Sequence, residues 1–228
     1  TGFKVNSGEY KLMGLAPYGS PKYSQLIKNN LIDIKSDGSF HMDQSYFNYA
    51  TGLTMTNSKF DKLFNKIPRD PKKQEITQFD MDIAASIQNV TEEVILKIAR
   101  SAREEFNIPN LCLAGGVALN CVANGKIINE KIFDNVWIQP AAGDAGGSLG
   151  AALAVWHLEL DMDRVVSGTD KMFGSFLGPK FSQNDVETRL KNINAKFSVL
   201  SDEDLTNIVA KDLSNGNAIG WFQGRMEF

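Results

Sequence analysis

Leu111-Cys112-Leu113-Ala114-Gly115-Gly116-Val117-Ala118-Leu119-Asn120 is an apolar run broken by two glycines. Further on, Val136-Trp137-Ile138 leads into Ala142-Gly143-Asp144-Ala145-Gly146-Gly147. Each stretch reads as a short buried strand, a glycine-opened turn and a helix. The first helix is expected from near Val117 to about Asn129 and the second from Ser148 to Leu158. Strands alternating with helices imply an α/β layer architecture.

Ahead of these units lies the strongest helical pattern, from about Asp82 to Phe106. Ile83, Ile87, Val90, Val94, Ile98 and Ala102 recur at three- and four-residue steps and predict one apolar stripe. Asn107-Ile108-Pro109 stops it. Earlier still, Leu31–Lys35 and Ser39–Met42 alternate around Ser36-Asp37-Gly38, which predicts a β-hairpin. Short helices are expected at Lys22–Asn29 and Ser58–Asn65. The opening stretch, Gly8 to Gly19, is rich in glycine and runs into a Pro-Tyr-Gly-Ser-Pro turn. Composition shifts after Asp161. The first domain is expected to span 1–165, a linker 166–179, and the start of a second domain 180–228. That second part reads as a helix (Asn184–Asn192), a strand (Phe197–Leu200), a helix (Asp202–Ser214) and a strand (Ala218–Phe222).

The chain has 228 residues, 43% hydrophobic and 22% charged, with net charge −3. These values suit a folded globular chain and exclude a collagen or disulfide scaffold. No basic footprint points to nucleic acid as a partner. The most apolar stretch, Leu149–Leu158, is too short to cross a bilayer, so no membrane partner is expected. Two cysteines, Cys112 and Cys121, make no disulfide framework and suggest a reducing, cytoplasmic setting. Both read as buried small hydrophobes. Thr1 is not methionine, so the chain is expected to begin partway into a longer protein.

Several residues carry candidate chemistry. Gly115 and Gly116 would let a ligand approach backbone, with a helix N-terminus behind them for phosphate and Asn120 one turn in. Tight strand–helix packing explains the same glycines equally well. Asp144, beside Gly143, lies where α/β proteins place ligand groups and could hold a divalent metal. An N-cap is the plainer reading. Glu9 could bind ribose hydroxyls and Lys11 a phosphate, or both could be a solvated pair. Arg225, after the Gly224 turn, could clamp a phosphate bidentately, or pair with Glu227. His41 and His157 have no metal-ligand spacing partner and read as structural.

Four segments in order resemble one family. They are Glu9 to Gly19, Leu113 to Asn120, Gln139 to Ala152, and Gly224-Arg225-Met226-Glu227-Phe228. They are similar to the O-carbamoyltransferases of nodulation-factor and antibiotic tailoring. The resemblance implies the second half of an actin/hexokinase-like ATPase-fold domain, followed by the start of an α/β threonylcarbamoyl-adenylate-synthase-like domain. It implies formation of carbamoyl-adenylate from ATP and carbamoyl phosphate. The carbamoyl group is then passed to a hydroxyl of a small-molecule acceptor. It also implies a divalent metal, iron or similar, held by two histidines and one aspartate. Carried over to this chain, Asp144 matches the metal aspartate, and Gly115, Gly116 and Asn120 match the nucleotide loop. Arg225 lies in the motif that opens the second active site. A histidine-rich motif and a Gly-Pro-Arg-Ala-Leu-Gly run expected from the family are absent. The chain by itself is therefore expected to be inactive. A sugar kinase of the same ATPase superfamily and a non-catalytic nucleotide-binding fragment are the alternatives.

Overall fold

The computed structural model describes residues 1–166 and 168–227. Ser167, inside the expected linker, and Phe228, the last residue of the Gly224–Phe228 motif, lie outside the described residues. The architecture is mixed α/β, and the chain divides into two units, Thr1–Leu160 and Asp161–Phe228.

In the first unit, α1 (Glu9–Leu15) runs into a 3₁₀ turn, Ala16–Tyr18. Pro17 sits at the start of that turn, where a missing N–H costs nothing. α2 (Ser24–Asn30) leads into the antiparallel hairpin β1 (Ile32–Ile34) and β2 (Phe40–Met42), with Asp33 opposite His41. Gly38, at φ +85°, rests the hairpin turn on the next long helix: a Cβ there would lie 2.4 Å from the Ile98 nitrogen. α3 (Ser58–Phe64) starts on the Asn57 side-chain cap and ends with Asn65 in the left-handed region.

α4 (Gln78–Phe106) begins one turn earlier than the apolar spacing predicts. The reason is a capping box in which Thr77 and Asp80 satisfy each other's end of the helix. It is the hub of the unit. α1, the 3₁₀ turn, α2 and α5 (Cys121–Asn129) all pack on it. Val90 joins Ile27, Leu31 and Tyr46 in one buried cluster, while Leu96 and Ala99 join Ile127 and Phe133 in another. Neighbours on several sides widen the expected stripe into a band. Ala84, Ala85, Leu96 and Ala99 are buried, whereas Ile98 is exposed.

β3 (Asn110–Leu113) and β4 (Asn135–Ile138) pair in parallel, with Leu111 opposite Val136 and Leu113 opposite Ile138. They are covered on one face only, which corrects the reading of fully buried strands. Leu111, Leu113 and Val136 pack against the second cluster, and Cys112 and Trp137 point the other way and are exposed. The two-residue period of a strand dictates that split. Cys121, the first residue of α5, is exposed as well, so neither cysteine is a buried hydrophobe. α6 (Gly146–Ala154) continues into a π turn, Val155–Glu159.

In the second unit, α7 (Gln183–Asn192) has a Ser182–Asp185 capping box, and Ser201 caps α8 (Asp202–Ser214). The expected strands at 197–200 and 218–222 do not form. A strand exists only where another backbone pairs with it. The pairing among the described residues here is a single bridge, Lys180 to Arg225. None of the unit's described residues is buried. No described helix is long and apolar enough to cross a membrane.

Candidate functional site

The amino-terminal motif is docked on the start of α4 by polar contacts. Gly19 lies so close that a Cβ would stand 2.0 Å from the Met81 carbonyl oxygen. The Asp82 carboxylate accepts from the Ser20 N–H at 2.9 Å, the Lys22 ammonium at 2.7 Å and the Gln78 amide at 3.0 Å. Lys22, then the Ser20 N–H and Gln78, hold its carboxyl down to about 2. Asp82 itself is covered, but the pair lies at the rim, because the Lys22 side chain remains largely exposed. One turn on, the Ser86 hydroxyl donates to the Asp82 carbonyl at 2.6 Å and accepts from the Tyr23 N–H at 2.9 Å. The apolar reading of α4 passed over Asp82 and Ser86. Nothing in the local pattern marks them, because α4 carries many other polar residues.

Glu9 is occupied within this motif. It accepts from the Asn6 N–H at 2.8 Å and the Gly8 N–H at 3.0 Å. Its own N–H first, then that of Asn6, holds the carboxyl below its ordinary value. Lys11 is exposed, with its ammonium 5.8 Å from the centre of the Tyr10 ring.

The loops after β3 and β4 are laced together. The Gly115 N–H donates to the Ala142 carbonyl at 2.7 Å, and the Gln139 N–H to the Leu113 carbonyl at 3.0 Å. Parallel strands side by side bring two loops far apart in sequence to one sheet end. Gly115 has φ +99°, which disfavours any side chain. A Cβ on Gly115, Gly116, Gly143 or Gly147 would meet nothing within 4 Å. Tight packing therefore explains only Gly146, whose Cβ would lie 2.1 Å from the Ala141 carbonyl oxygen.

The helix expected from Val117 is split. A 3₁₀ turn occupies Gly116–Leu119, and α5 starts at Cys121. Asn120 causes the break by capping α5, since its Oδ1 accepts from the Ala123 N–H at 3.1 Å. Its amide also pairs with Gln88 of α4. The Asn124 amide donates to the Ala118 carbonyl at 2.7 Å and holds the turn from below.

Asp144 is exposed in the turn between β4 and α6. The Gly146 N–H donates to the Gly143 carbonyl at 3.1 Å, and the Gly147 N–H to the Asp144 carbonyl at 3.0 Å. The α6 cap position is Ala145, and no side chain caps it. The plain N-cap reading of Asp144 is thus overturned, because the helix begins too late for its carboxylate to reach the first N–H groups. Among the described residues no group of three or more His, Cys, Asp or Glu gathers to hold a metal. One exposed carboxylate does not make a metal site by itself.

In the second unit, Arg225 lines a cavity of about 650 Å³ with Phe173, Phe176, Leu177, Gln223 and Gly224. Its guanidinium donates to the Gly178 carbonyl at 2.6 Å, the alternative to the expected partner Glu227. The Gly178 N–H donates to the Met226 carbonyl at 2.8 Å, and the Met226 N–H to the Pro179 carbonyl at 2.9 Å.

Comparison with known proteins agrees with the four segments read in order. The chain is 60% identical to an uncharacterized protein of Synechocystis sp., over all of this chain and 37% of that relative. It is 32% identical to nodulation protein NolO of Bradyrhizobium diazoefficiens, over 96% of this chain and 37% of NolO. A tRNA N6-adenosine threonylcarbamoyltransferase of Thermosipho africanus is 30% identical over 57% of this chain and 38% of the relative. The chain thus spans little more than a third of the length of these curated relatives. Residues 1–153 match the family model described as Carbamoyltransferase N-terminus, and the chain belongs to that family.

Proposed function

We propose that this chain is part of an enzyme that transfers a carbamoyl group from carbamoyl phosphate, through carbamoyl-adenylate, to a hydroxyl of a small-molecule acceptor. Water would release phosphate from carbamoyl phosphate, and the carbamate oxygen left behind would attack the α-phosphorus of ATP, expelling pyrophosphate. The acceptor oxygen would then attack the carbamoyl carbon, and AMP would leave. Adenylation replaces a poor acyl donor by one with a better leaving group. The observation that carries the reading is the pair of glycine loops tied by the Gly115–Ala142 bond, in a chain of the carbamoyltransferase family. Their open glycines leave backbone accessible to a nucleotide. The similarity of part of the chain to a threonylcarbamoyltransferase supports an ATPase-like fold for the first unit.

The proposed roles follow from these positions. Gly116 and Gly143 admit the nucleotide, and Gly115 spends its N–H on holding the loops together. Asn120 contacts the nucleotide from the cap of α5. Glu9 and Lys11 contribute from α1 only where Glu9 releases its own turn. Arg225 binds phosphate in a second, adenylate-forming site within the 161–228 unit. Asp144 would offer one carboxylate to a divalent metal. The described residues do not complete such a site.

The test uses the full-length protein with ATP, carbamoyl phosphate and a panel of alcohols. Pyrophosphate release should require carbamoyl phosphate, and AMP release should require an acceptor. ADP formed on a sugar, with no pyrophosphate, would replace this reading by a sugar kinase.

A further inference from the structure

Four side chains connect α4 to the first glycine loop in an unbroken series. Glu92 is 6% exposed, and its Oε2 receives the Lys126 ammonium of α5. Its Oε1 accepts from the Gln88 amide nitrogen at 2.8 Å. The same nitrogen donates to Asn120 Oδ1 at 3.0 Å, and Asn120 Nδ2 returns a bond to Gln88 Oε1 at 2.9 Å.

The direction of every bond follows from one end of the series. A carboxylate paired with an ammonium is ionised and only accepts. Gln88 must therefore turn its NH₂ toward Glu92, and its two hydrogens go to Glu92 and Asn120. Its oxygen then faces Asn120 Nδ2. Asn120 Oδ1 already takes the Ala123 N–H at 3.1 Å together with Gln88, which fills both lone pairs. The Asn120 NH₂ has two hydrogens and spends one of them among the described residues. The other is the outer hydrogen of a reciprocal amide pair, directed away from Gln88.

We infer that Gln88 is a positioning residue for the glycine loops, oriented by Glu92 and Lys126. It makes Asn120 a hydrogen-bond donor, directed at an acceptor oxygen or ring nitrogen of a bound nucleotide. The inference rests on the nucleotide-binding reading above. It adds the sense of the contact and the residues that set it.

The test uses the full-length protein, with ATP affinity by titration calorimetry and unfolding by scanning calorimetry as separate readouts. Asn120→Ser keeps an oxygen to cap α5 and deletes the amide donor. ATP affinity should fall about tenfold, the scale of one lost hydrogen bond. Gln88→Met keeps the side-chain length but frees the Asn120 amide to turn, and the loss should be similar. The double variant should bind no worse than the weaker single one, because both changes remove the same donor. Losses that multiply to about a hundredfold would give Gln88 an independent role and overturn the inference. Asn120→Asp offers only acceptors and should bind at least as weakly as Asn120→Ser; affinity equal to wild type would also overturn it. If the unsubstituted protein binds no ATP, the nucleotide reading itself fails. The relay is then decided by unfolding, where the two substitutions must be non-additive; additive losses in Tm overturn it.

Discussion

The amino-terminal segment and the loops after β3 and β4 are both rich in glycine, and they use it in opposite ways. Gly19 lies against the backbone of α4, with no room for a methyl group. Gly116, Gly143 and Gly147 face open space. The first arrangement builds the fold. The second is tied together by the Gly115 N–H and the packed Gly146, and its open glycines leave backbone uncovered at the end of a parallel sheet. The difference separates structural glycines from candidate ligand-binding ones, which sequence reading alone treats alike.

The sharpest way to break this contrast is to add one methyl group on each side of it. Gly19→Ala should destabilise the protein by about 3 kcal/mol or more, because the methyl meets helix backbone that cannot swing aside. Scanning calorimetry checks it, and a Tm near wild type would refute the packing role. Asp144→Asn should follow in size, but in activity alone. We expect normal folding with loss of most carbamoyl transfer to the acceptor, while carbamoyl-adenylate formation survives. Separate assays of the two half-reactions decide this, and unchanged transfer would leave Asp144 without a role. Gly116→Val should leave Tm close to wild type and weaken nucleotide binding by about 1–3 kcal/mol. If Tm falls and affinity holds, the open-glycine argument is wrong.

The smallest effect changes with pH, most clearly in acid. The Asp82 carboxyl is depressed from its ordinary 3.8 to about 2. Its contribution is complete above pH 4 and is lost as the pH falls toward 2. Lys22, raised above its ordinary 10.5 by the same pair, loses its share only at strongly alkaline pH. Asp82→Asn should lower Tm at neutral pH and flatten the fall between pH 4 and 2. Parallel acid limbs in the two proteins would show that the amino-terminal motif is anchored elsewhere.

Much of the candidate site was legible residue by residue. The paired strands, the glycine breaks and Asn120 were all visible as local pattern, and four motifs in order pointed to the family. Gln88 and Glu92 were not, since a polar pair four apart on a long helix reads as a solvated face until a partner is placed opposite. The strands expected at 197–200 and 218–222 show the converse. Their apolar runs have strand character, but nothing among the described residues pairs with them, and the Lys180–Arg225 bridge lies outside both.

What the sequence by itself determined is the local alphabet: the hairpin turn at Asp37-Gly38, the long helix, the Asp202–Ser214 helix and the alternation of strand and helix from Leu111 to Leu158. Those features depend on residues within one or two turns of each other. The tertiary structure alone decided which glycines are crowded and which face of β3 is covered. It also decided that the Asn120 amide is turned by a residue 32 positions away. Each of these depends on which backbone or side chain lies opposite, and that is set by packing across the sheet and around α4.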